Sequence, residues 1–282
     1  MIKLEHTDVV GWEAAIRGMR NPMNSWDKSD TYVCIAEDFD KCEGCDAFRK
    51  NDGAFSFCTQ PFIIGENDLE LMIKLRNAGT DHRKFMRMIV VYVDITAPLY
   101  WWKEFKTYRA GRRFGDDEPD IIDAGYLECD IETNSCSTMH KIHEKEFTLE
   151  DFSCEHLSEP AISIMKNIIE ALNQARDLYL GYGGFKHQWG DWEKKHYWWQ
   201  MIQLLPSSYN QKRTVMLNYE VLANIYKSRK NHKLDEWIEF CKWIENLPYS
   251  ELITGVSLED MPICNEIMEE AKRRVTNEED QK

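Results

Sequence analysis

Apolar residues recur every three to four positions along 158–181, which is the spacing of a long amphipathic helix. Its apolar positions are Ile162, Met165, Ile169, Leu172, Ala175 and Leu178. The segment Gly181-Tyr-Gly-Gly184 follows, and glycine readily takes the left-handed conformation that ends a helix. Shorter patterns of the same kind predict further helices over 8–20, 69–75, 99–109, 215–226 and 234–244.

A different pattern separates two of these helices. We expect the helix over 69–75 to begin from a cap at Asn67-Asp68 and to end at Asn77-Ala78-Gly79. Residues 85–97 are instead β-branched and apolar, and Pro98 follows them. This composition predicts a mostly buried strand that ends at the proline.

Helices and strands are therefore intermixed along the chain. No internal repeat, low-complexity tract or linker divides them, so we predict a single α+β domain over 1–282. Residues 110–133 form a charged, acidic excursion that is typical of a surface loop. Residues 31–65 have the character of loops with short strands, and the first 60 residues stay unassigned in function.

The charge balance excludes one large class of partners. The 282 residues carry 49 acidic and 35 basic side chains, for a net charge of -14. A protein that binds a nucleic-acid polymer usually has a basic face, but a local basic pocket for a mononucleotide is compatible with this total. No apolar run approaches the roughly 20 residues of a membrane span. Residues 1–30 lack a signal-peptide pattern, so we expect a cytoplasmic protein, encoded by a cell or by a phage.

The cysteines do not indicate a metal site. Nine are present, and the default for a long chain without an export signal is reduced thiols. Cys42 and Cys45 form one CxxC pair, flanked by Cys34 and Cys58. Structural zinc sites usually have two close pairs, so ordinary thiols are favoured over zinc.

The candidate chemistry lies in four stretches, and the last has the most specific spacing. Asn218 stands twelve positions after Pro206, and Arg229 stands eleven positions after Asn218. These distances, and the order of the other three stretches over roughly 65–245, resemble flavin-dependent thymidylate synthases. The resemblance implies a central β-sheet flanked by long helices. It also implies that Asn218 contacts the flavin and that Arg229 is catalytic.

The role implied for Arg229 has a clear physical basis. An arginine held against a pyrimidine carbonyl stabilises the negative charge that develops on the ring as C5 becomes nucleophilic. Such an arginine takes the place of the cysteine nucleophile of other thymidylate synthases. The resemblance therefore makes Arg229 both a catalytic and a substrate-binding residue, and no cysteine has to be catalytic.

The first stretch, Asp81-His82-Arg83-Lys84-Phe85, resembles the family segment Glu-His-x-x-Phe, with Asp in place of Glu. The family histidine lies beside the flavin, so the resemblance implies a flavin-pocket role for His82. The alternative that the residues leave open is a histidine that caps the end of a strand.

The second stretch departs from the family. Thr107-Tyr108-Arg109 stands where the family has Arg-His-Arg, and only the last arginine is kept. A tyrosine can still stack and hydrogen-bond where the histidine did. The resemblance therefore implies that Tyr108 and Arg109 bind the flavin. It also places Glu104 where the family often has a glutamine that contacts the nucleotide.

The third stretch, Asn134-Ser135-Cys136-Ser137-Thr138-Met139-His140, resembles the family segment Asn-Glu-x-Ser-x-Arg-Tyr. Small hydroxyl residues at a turn or helix start offer hydroxyl and backbone N–H groups to a phosphate. The resemblance implies that Ser135 and Ser137 bind the substrate. The alternative is a capped turn rich in serine and threonine.

Several family arginines are missing. Thr107, Met139, Ile202 and Glu220 stand at positions where the family has arginine. The losses fall mostly where the family holds the charged end of its nucleotide, so the flavin side of the resemblance is better preserved than the nucleotide side.

The resemblance implies a reaction with two further reactants. FAD is reduced by NADPH, and a one-carbon unit passes from methylenetetrahydrofolate to C5 of dUMP to give dTMP. It also implies a homotetramer. Two alternatives stay open: the same fold acting at C5 of another pyrimidine deoxynucleotide, such as dCMP or by hydroxymethylation, and a catalytically silent binding or structural protein.

Overall fold

The structure is a computed structural model that describes residues 2–33, 62–108, 131–182 and 190–255. Arg109, most of the acidic segment 110–133 and the cysteines at 34, 42, 45 and 58 lie outside the described residues. The fold is α+β, as predicted, with the elements in the order that follows. The strands are β1 (Lys3–Val10), β2 (Tyr32–Val33), β3 (Phe62–Ile63), β4 (Val90–Pro98), β5 (Glu132–Ser135) and β6 (Asn210–Asn218). The helices are α1 (Trp12–Arg20), α2 (Glu66–Asn77), α3 (Leu99–Phe105), α4 (Glu159–Leu180), α5 (Asp191–Leu204), α6 (Tyr219–Arg229), α7 (Asp235–Glu245) and α8 (Glu251–Thr254).

The chain forms two compact units. The first comprises Met1–Val9, Val91–Leu217 and Asn224–Asn246, and the second comprises Val10–Val90, Asn218–Ala223 and Leu247–Lys282. The prediction of one domain over 1–282 stays a prediction. Within the described ranges, no helix is both long and apolar enough to cross a membrane.

The first unit holds nearly all of a four-stranded sheet in the order β1-β4-β6-β5. In β6, buried residues alternate with exposed ones from Gln211 to Val215, which is the period-two pattern of a strand with one covered face. The edge strand β5 pairs antiparallel with β6, so that Ser135 lies opposite Arg213 and Asn134 opposite Thr214. This register decides which candidate residues share a face of the sheet.

Among the described residues of the first unit, two groups of buried side chains pack in the core beside the covered face of the sheet. One is an aromatic cluster, which we define as Trp101, Trp102, Phe105, Trp237 and Phe240. The other lies where α4 packs against α5. The prediction of α4 from its apolar spacing is confirmed, and Gly181 ends the helix with φ of 75°. The prediction of α7 is also confirmed, within one residue at each end.

The second unit contains α1, α2, the short antiparallel pair of β2 and β3, and a 3-10 helix over Arg83–Met88. The predicted helix over 8–20 is correct only from Trp12, because residues up to Val10 belong to β1. Gly11 separates the two elements with φ of 94°, and a Cβ there would lie 2.0 Å from the carbonyl oxygen of Met88. Only glycine fits that turn.

Three further boundaries were wrong, and the first is the end of the helix predicted over 99–109, which stops at Phe105. The strand predicted from 85 begins at Val90, after the 3-10 helix, although Pro98 does end it. The helix predicted from 215 begins at Tyr219, because the preceding residues complete β6. The alternating apolar residues of β6 run directly into the helical pattern of α6, and the two periods overlap at the junction.

The cap predicted for α2 was also wrong. Asn67 and Asp68 lie inside the first turn, and the side chain of Asp30 accepts their backbone N–H groups at 3.0 and 3.2 Å. A residue from a distant loop therefore supplies the acceptor that a local cap would provide. Asp68 is instead fully buried, where it pairs with Arg20.

Candidate active site

Arg229 ends α6 in the first unit and lies against two aromatic rings. Its guanidinium carbon is 5.0 Å from the ring centre of Trp237 and 5.1 Å from that of Tyr108. Both distances are within the range of cation–π attraction. The side chain is 20% exposed, so most of it is covered.

Glu104, from α3, is the acidic neighbour of Arg229. Its Oε2 lies 3.4 Å from Nη2 of Arg229 and accepts a hydrogen bond of 3.0 Å from the indole nitrogen of Trp237. Nε2 of His232 is 4.0 Å from the same oxygen. Nδ1 of His232 accepts the backbone N–H of Leu234 at 3.1 Å, so Nε2 is the nitrogen that carries the proton.

The Arg229 guanidinium has more donors than acceptors. Arginine carries five N–H groups, and its Nε is buried without a hydrogen-bond partner among the described residues. Leaving a buried donor unmet costs roughly 1–3 kcal/mol. The structure therefore brings three predicted residues, Glu104, Tyr108 and Arg229, into one cluster whose cation is incompletely satisfied.

Sequence reasoning missed Trp237 and His232. Trp237 is fully buried on α7 and contacts Trp101 at 4.8 Å between ring centres. In the sequence it appears only as one apolar position of a predicted helix. His232 lies in the turn before α7, where its backbone N–H donates to the backbone carbonyl of Arg229 at 2.9 Å. Neither residue type nor spacing marks it as a neighbour of Glu104.

Ser135 and Ser137 lie at the edge of the same unit. Ser135 is exposed at the end of β5, on the face of the sheet that also carries Arg213. The hydroxyl of Ser137 accepts the backbone N–H groups of Met139 and His140 at 3.3 and 2.9 Å. Those N–H groups are thus used within a capped turn, which is the alternative that the sequence left open for this stretch.

Asn134 points to the other face. It lies opposite Thr214 in the register, and the hydroxyl of Thr214 donates to Asp94 at 2.7 Å. Hydrogen bonds from Thr214 and then Lys212 lower the pKa of Asp94 to about 2. This face of the sheet is a network of paired surface charges, so Asn134 lies among them while Ser137 lies beyond β5 in the capped turn.

His82 and Asn218 belong to the second unit. His82 is exposed and precedes the 3-10 helix of Arg83–Met88. Asn218 is buried, and its side-chain oxygen accepts the backbone N–H of Val221 at 3.0 Å. Asn218 therefore caps the start of α6, a strong structural role for an asparagine at that position.

Glu220, which stands where the family has an arginine, is also buried in the second unit. It accepts a hydrogen bond of 3.2 Å from Nε of Arg83 and a second hydrogen bond from Nε of Arg87. The substitution thus reverses the sign of the charge at this position.

Among the described residues, no group of three or more histidine, cysteine, aspartate or glutamate side chains could hold a metal ion.

The site thus presents a guanidinium, held on two aromatic rings beside a carboxylate, as a hydrogen-bond donor. The fold is that of the flavin-dependent thymidylate synthases. Two solved structures of the enzyme ThyX from Helicobacter pylori, both with FAD and dUMP, are similar to this chain, with a TM-score of 0.51 and 15% identity in each case. The alignment covers 90% of this chain and 98% of those chains. No protein-family model matches the chain, and no curated protein matches it by sequence.

Proposed function

We propose that the chain is a flavin-dependent enzyme that transfers a one-carbon unit from methylenetetrahydrofolate to C5 of dUMP, with FAD reduced by NADPH. The observation that carries this proposal is the environment of Arg229. Its guanidinium lies on Tyr108 and Trp237 and keeps an unmet donor, in a fold shared with proteins solved with FAD and dUMP. We further propose a homotetramer in the cytoplasm.

Arg229 has the chemistry that the ring requires. A guanidinium that donates to a pyrimidine carbonyl stabilises the enolate-like charge that makes C5 nucleophilic. The aromatic rings on which it rests lower the local dielectric, and a hydrogen bond to a charged group is stronger there. Glu104 is an acceptor beside it and suits the N3–H of uracil. Arg229 is thus the catalytic residue, and Glu104 orients the ring.

The residues assigned to the flavin fit such a group in kind. Asn218 has its oxygen engaged at the α6 cap, so it offers its amide N–H groups to a flavin carbonyl. His82 offers an exposed imidazole, and Tyr108 a half-buried ring and hydroxyl. FAD, when bound, supplies the reducing equivalents of the reaction. Purified protein should therefore be yellow, and a colourless protein that takes up no added FAD would exclude both enzymatic proposals.

The test of Arg229 is its replacement by alanine. We expect Arg229→Ala to abolish tritium release from C5-labelled dUMP while FAD stays bound. Lys227→Ala is the matched control, because Lys227 is a basic, exposed residue in the same last turn of α6. Activity that persists in Arg229→Ala would show that another residue polarises the ring.

A second substrate is favoured by Glu104 itself. A carboxylate only accepts hydrogen bonds, and acidic side chains accept well from the 4-amino group of cytosine. The same site could therefore modify dCMP, including by hydroxymethylation. Parallel assays of tritium release from C5-labelled dUMP and dCMP separate the two substrates. A protein that binds flavin but releases tritium from neither nucleotide would favour the alternative of a catalytically silent binding protein.

A further inference from the structure

The first unit contains a second buried arginine, Arg213 on β6, and no acidic side chain among the described residues pairs with it. Arg213 is 8% exposed, and its guanidinium carbon lies 4.3 Å from the ring centre of Trp102. Nε and Nη2 both donate to Oε1 of Gln211, at 3.0 and 2.7 Å. Among the described residues, no carboxylate lies within ion-pair distance of it.

An unpaired charge in this position is costly. Burial lowers the pKa of Arg213, because removal from water disfavours the cation. Buried charges are normally paired with a charge of opposite sign, and a neutral amide compensates only part of the lost hydration. The third nitrogen, Nη1, makes no hydrogen bond within the described ranges and is not among the sealed polar atoms that lack a partner. It is therefore accessible to an incoming anion.

The neighbours of Arg213 suit an anion with several oxygens. Ser135 lies directly opposite it on the same face of the sheet, with its hydroxyl exposed. Gln211, which accepts from Arg213, donates through Nε2 to the carbonyl of Cys136 at 2.7 Å. The thiol of Cys136 is exposed and close enough to influence the pKa of Arg213. The guanidinium of Arg213 and the hydroxyl of Ser135 therefore lie next to each other at the edge strand β5.

The position of Arg213 relates it to the ring site. Trp102, on which Arg213 rests, contacts Trp101 at 5.0 Å, and Trp101 contacts Trp237, on which Arg229 rests, at 4.8 Å. Both guanidinia therefore rest on the aromatic cluster of the first unit.

We propose that Arg213 and Ser135 bind the 5′-phosphate of the nucleotide. This inference rests on the proposed function. Arg213 would supply the positive charge that is missing because Thr107, Met139 and Ile202 stand where the family has arginine. The fork of a guanidinium matches a phosphate in a way that a lone ammonium does not. In this chain the charged end of the substrate is thus held from strand β6, by an arginine that the sequence pattern did not mark.

The first experiment uses inorganic phosphate and the thiol of Cys136. The alkylation rate of Cys136 in the full-length protein is measured by peptide mass spectrometry, with and without phosphate. We expect phosphate to slow alkylation in the wild type and to have no effect in Arg213→Met. Alkylation that is insensitive to phosphate in the wild type would overturn the anion site.

The second experiment compares dUMP with deoxyuridine, which lacks the phosphate. Arg213→Met should weaken dUMP binding about 10- to 100-fold, the loss expected when hydrogen bonds to a charged group are removed. Its affinity for deoxyuridine should not change. Lys212→Gln is the matched control, because Lys212 is the next basic residue of β6 and pairs with Asp94 on the opposite face at 3.0 Å.

Arg213→Lys keeps the proposal testable if Arg213→Met does not fold, because lysine retains the charge and can donate to Gln211. We expect it to keep part of the preference for dUMP. Equal affinities of the wild type and both variants for dUMP would overturn the role of Arg213. Protection of Cys136 by phosphate without any dUMP binding would keep the anion site and overturn the proposed function.

Discussion

The two units treat their buried arginines differently. In the second unit, Arg20 is 4% exposed and its Nε lies 2.6 Å from Oδ1 of Asp68, which is itself fully buried. Arg20 also donates to the carbonyls of Ser25 and Lys28, both at 3.1 Å. Among the described residues of the first unit, Arg213 donates to a neutral amide and rests on the ring of Trp102, and Arg229 keeps an unmet nitrogen.

This difference separates structural charges from functional ones. Asp68 accepts not only from Arg20 but also from Ser29 and Thr31, so the pair forms a satisfied network that joins a loop to α2. A complete network of this kind rigidifies a core. An arginine that stays incompletely paired is unfavourable in the free protein, and an anionic or carbonyl-bearing ligand can complete it. The incomplete arginines are therefore the better candidates for a site.

The largest expected effect is the loss of the Asp68 carboxylate. Asp68→Ala leaves Arg20 as a buried, unpaired charge, and breaking such a pair typically costs about 3–5 kcal/mol. Urea unfolding measures the change in the free energy of unfolding. Asp27→Ala, an exposed aspartate in the same unit, is the control. Similar losses in both variants would show that the Arg20 network does not stabilise the unit.

The same network predicts a dependence on pH. Although burial raises it, hydrogen bonds from Thr31, Ser29 and Arg20 hold the pKa of Asp68 below its ordinary value of 3.8. The lowered pKa stabilises the folded state above pH 3.8, and this contribution is lost as the pH falls further. The stability difference between wild type and Asp68→Ala should therefore shrink below about pH 4. A constant difference down to pH 2 would contradict this.

A smaller loss is expected at Glu220. Its side chain is 5% exposed and accepts from Arg83 and Arg87, whose side chains are 17% and 44% exposed. In Glu220→Ala both arginines can turn toward water, so we expect a loss of about 1.5–3 kcal/mol. Glu70→Ala, from an exposed pair with Lys74, should cost less than about 1 kcal/mol. Equal losses would place Glu220 among the surface charges.

In the first unit, we expect Glu104→Gln to change binding rather than stability. The amide keeps an acceptor for Trp237, but it accepts more weakly than the carboxylate that we propose orients the uracil ring. Affinity for dUMP should therefore fall about two- to fivefold, the size of a partly exposed charged contact. Calorimetric titration measures this change. Unchanged or tighter binding of dUMP would show that the carboxylate does not contact the pyrimidine.

The smallest effect is expected at Arg17, which pairs with Glu13 on the exposed side of α1. Arg17→Ala should change the free energy of unfolding by less than about 0.5 kcal/mol. Thermal melts of this variant set the baseline for an arginine whose pairing does not matter. A loss as large as that of Asp68→Ala would break the distinction between buried and exposed pairs.

Local patterns were enough for the longest elements and failed where two patterns meet. α4 was predicted from its apolar spacing because a buried stripe on a long helix repeats many times. The junction of β6 and α6 at Asn218 was placed too early, since apolar residues at the end of the strand also fit the helical period. β1 was missed because its residues are mostly exposed and do not alternate clearly.

The candidate site shows the same limit. The spacing of Asn218 and Arg229 indicated a family resemblance, but not that Asn218 caps α6 or that Glu104 approaches Arg229. Those contacts depend on how α3, α6 and α7 pack. Arg213 looked like one surface cation among 35 basic residues, because nothing near it in the sequence reveals the ring of Trp102.

The sequence alone determined the α+β class, the long helix α4 and the distances that link Asn218 to Arg229, since all three depend on neighbours along the chain. Only the tertiary structure decided which charges are compensated. That outcome depends on strand register and helix packing, which place Asp68 against Arg20 and leave Arg213 with a neutral partner. The burial of a charge and the identity of its partner are properties of the folded chain.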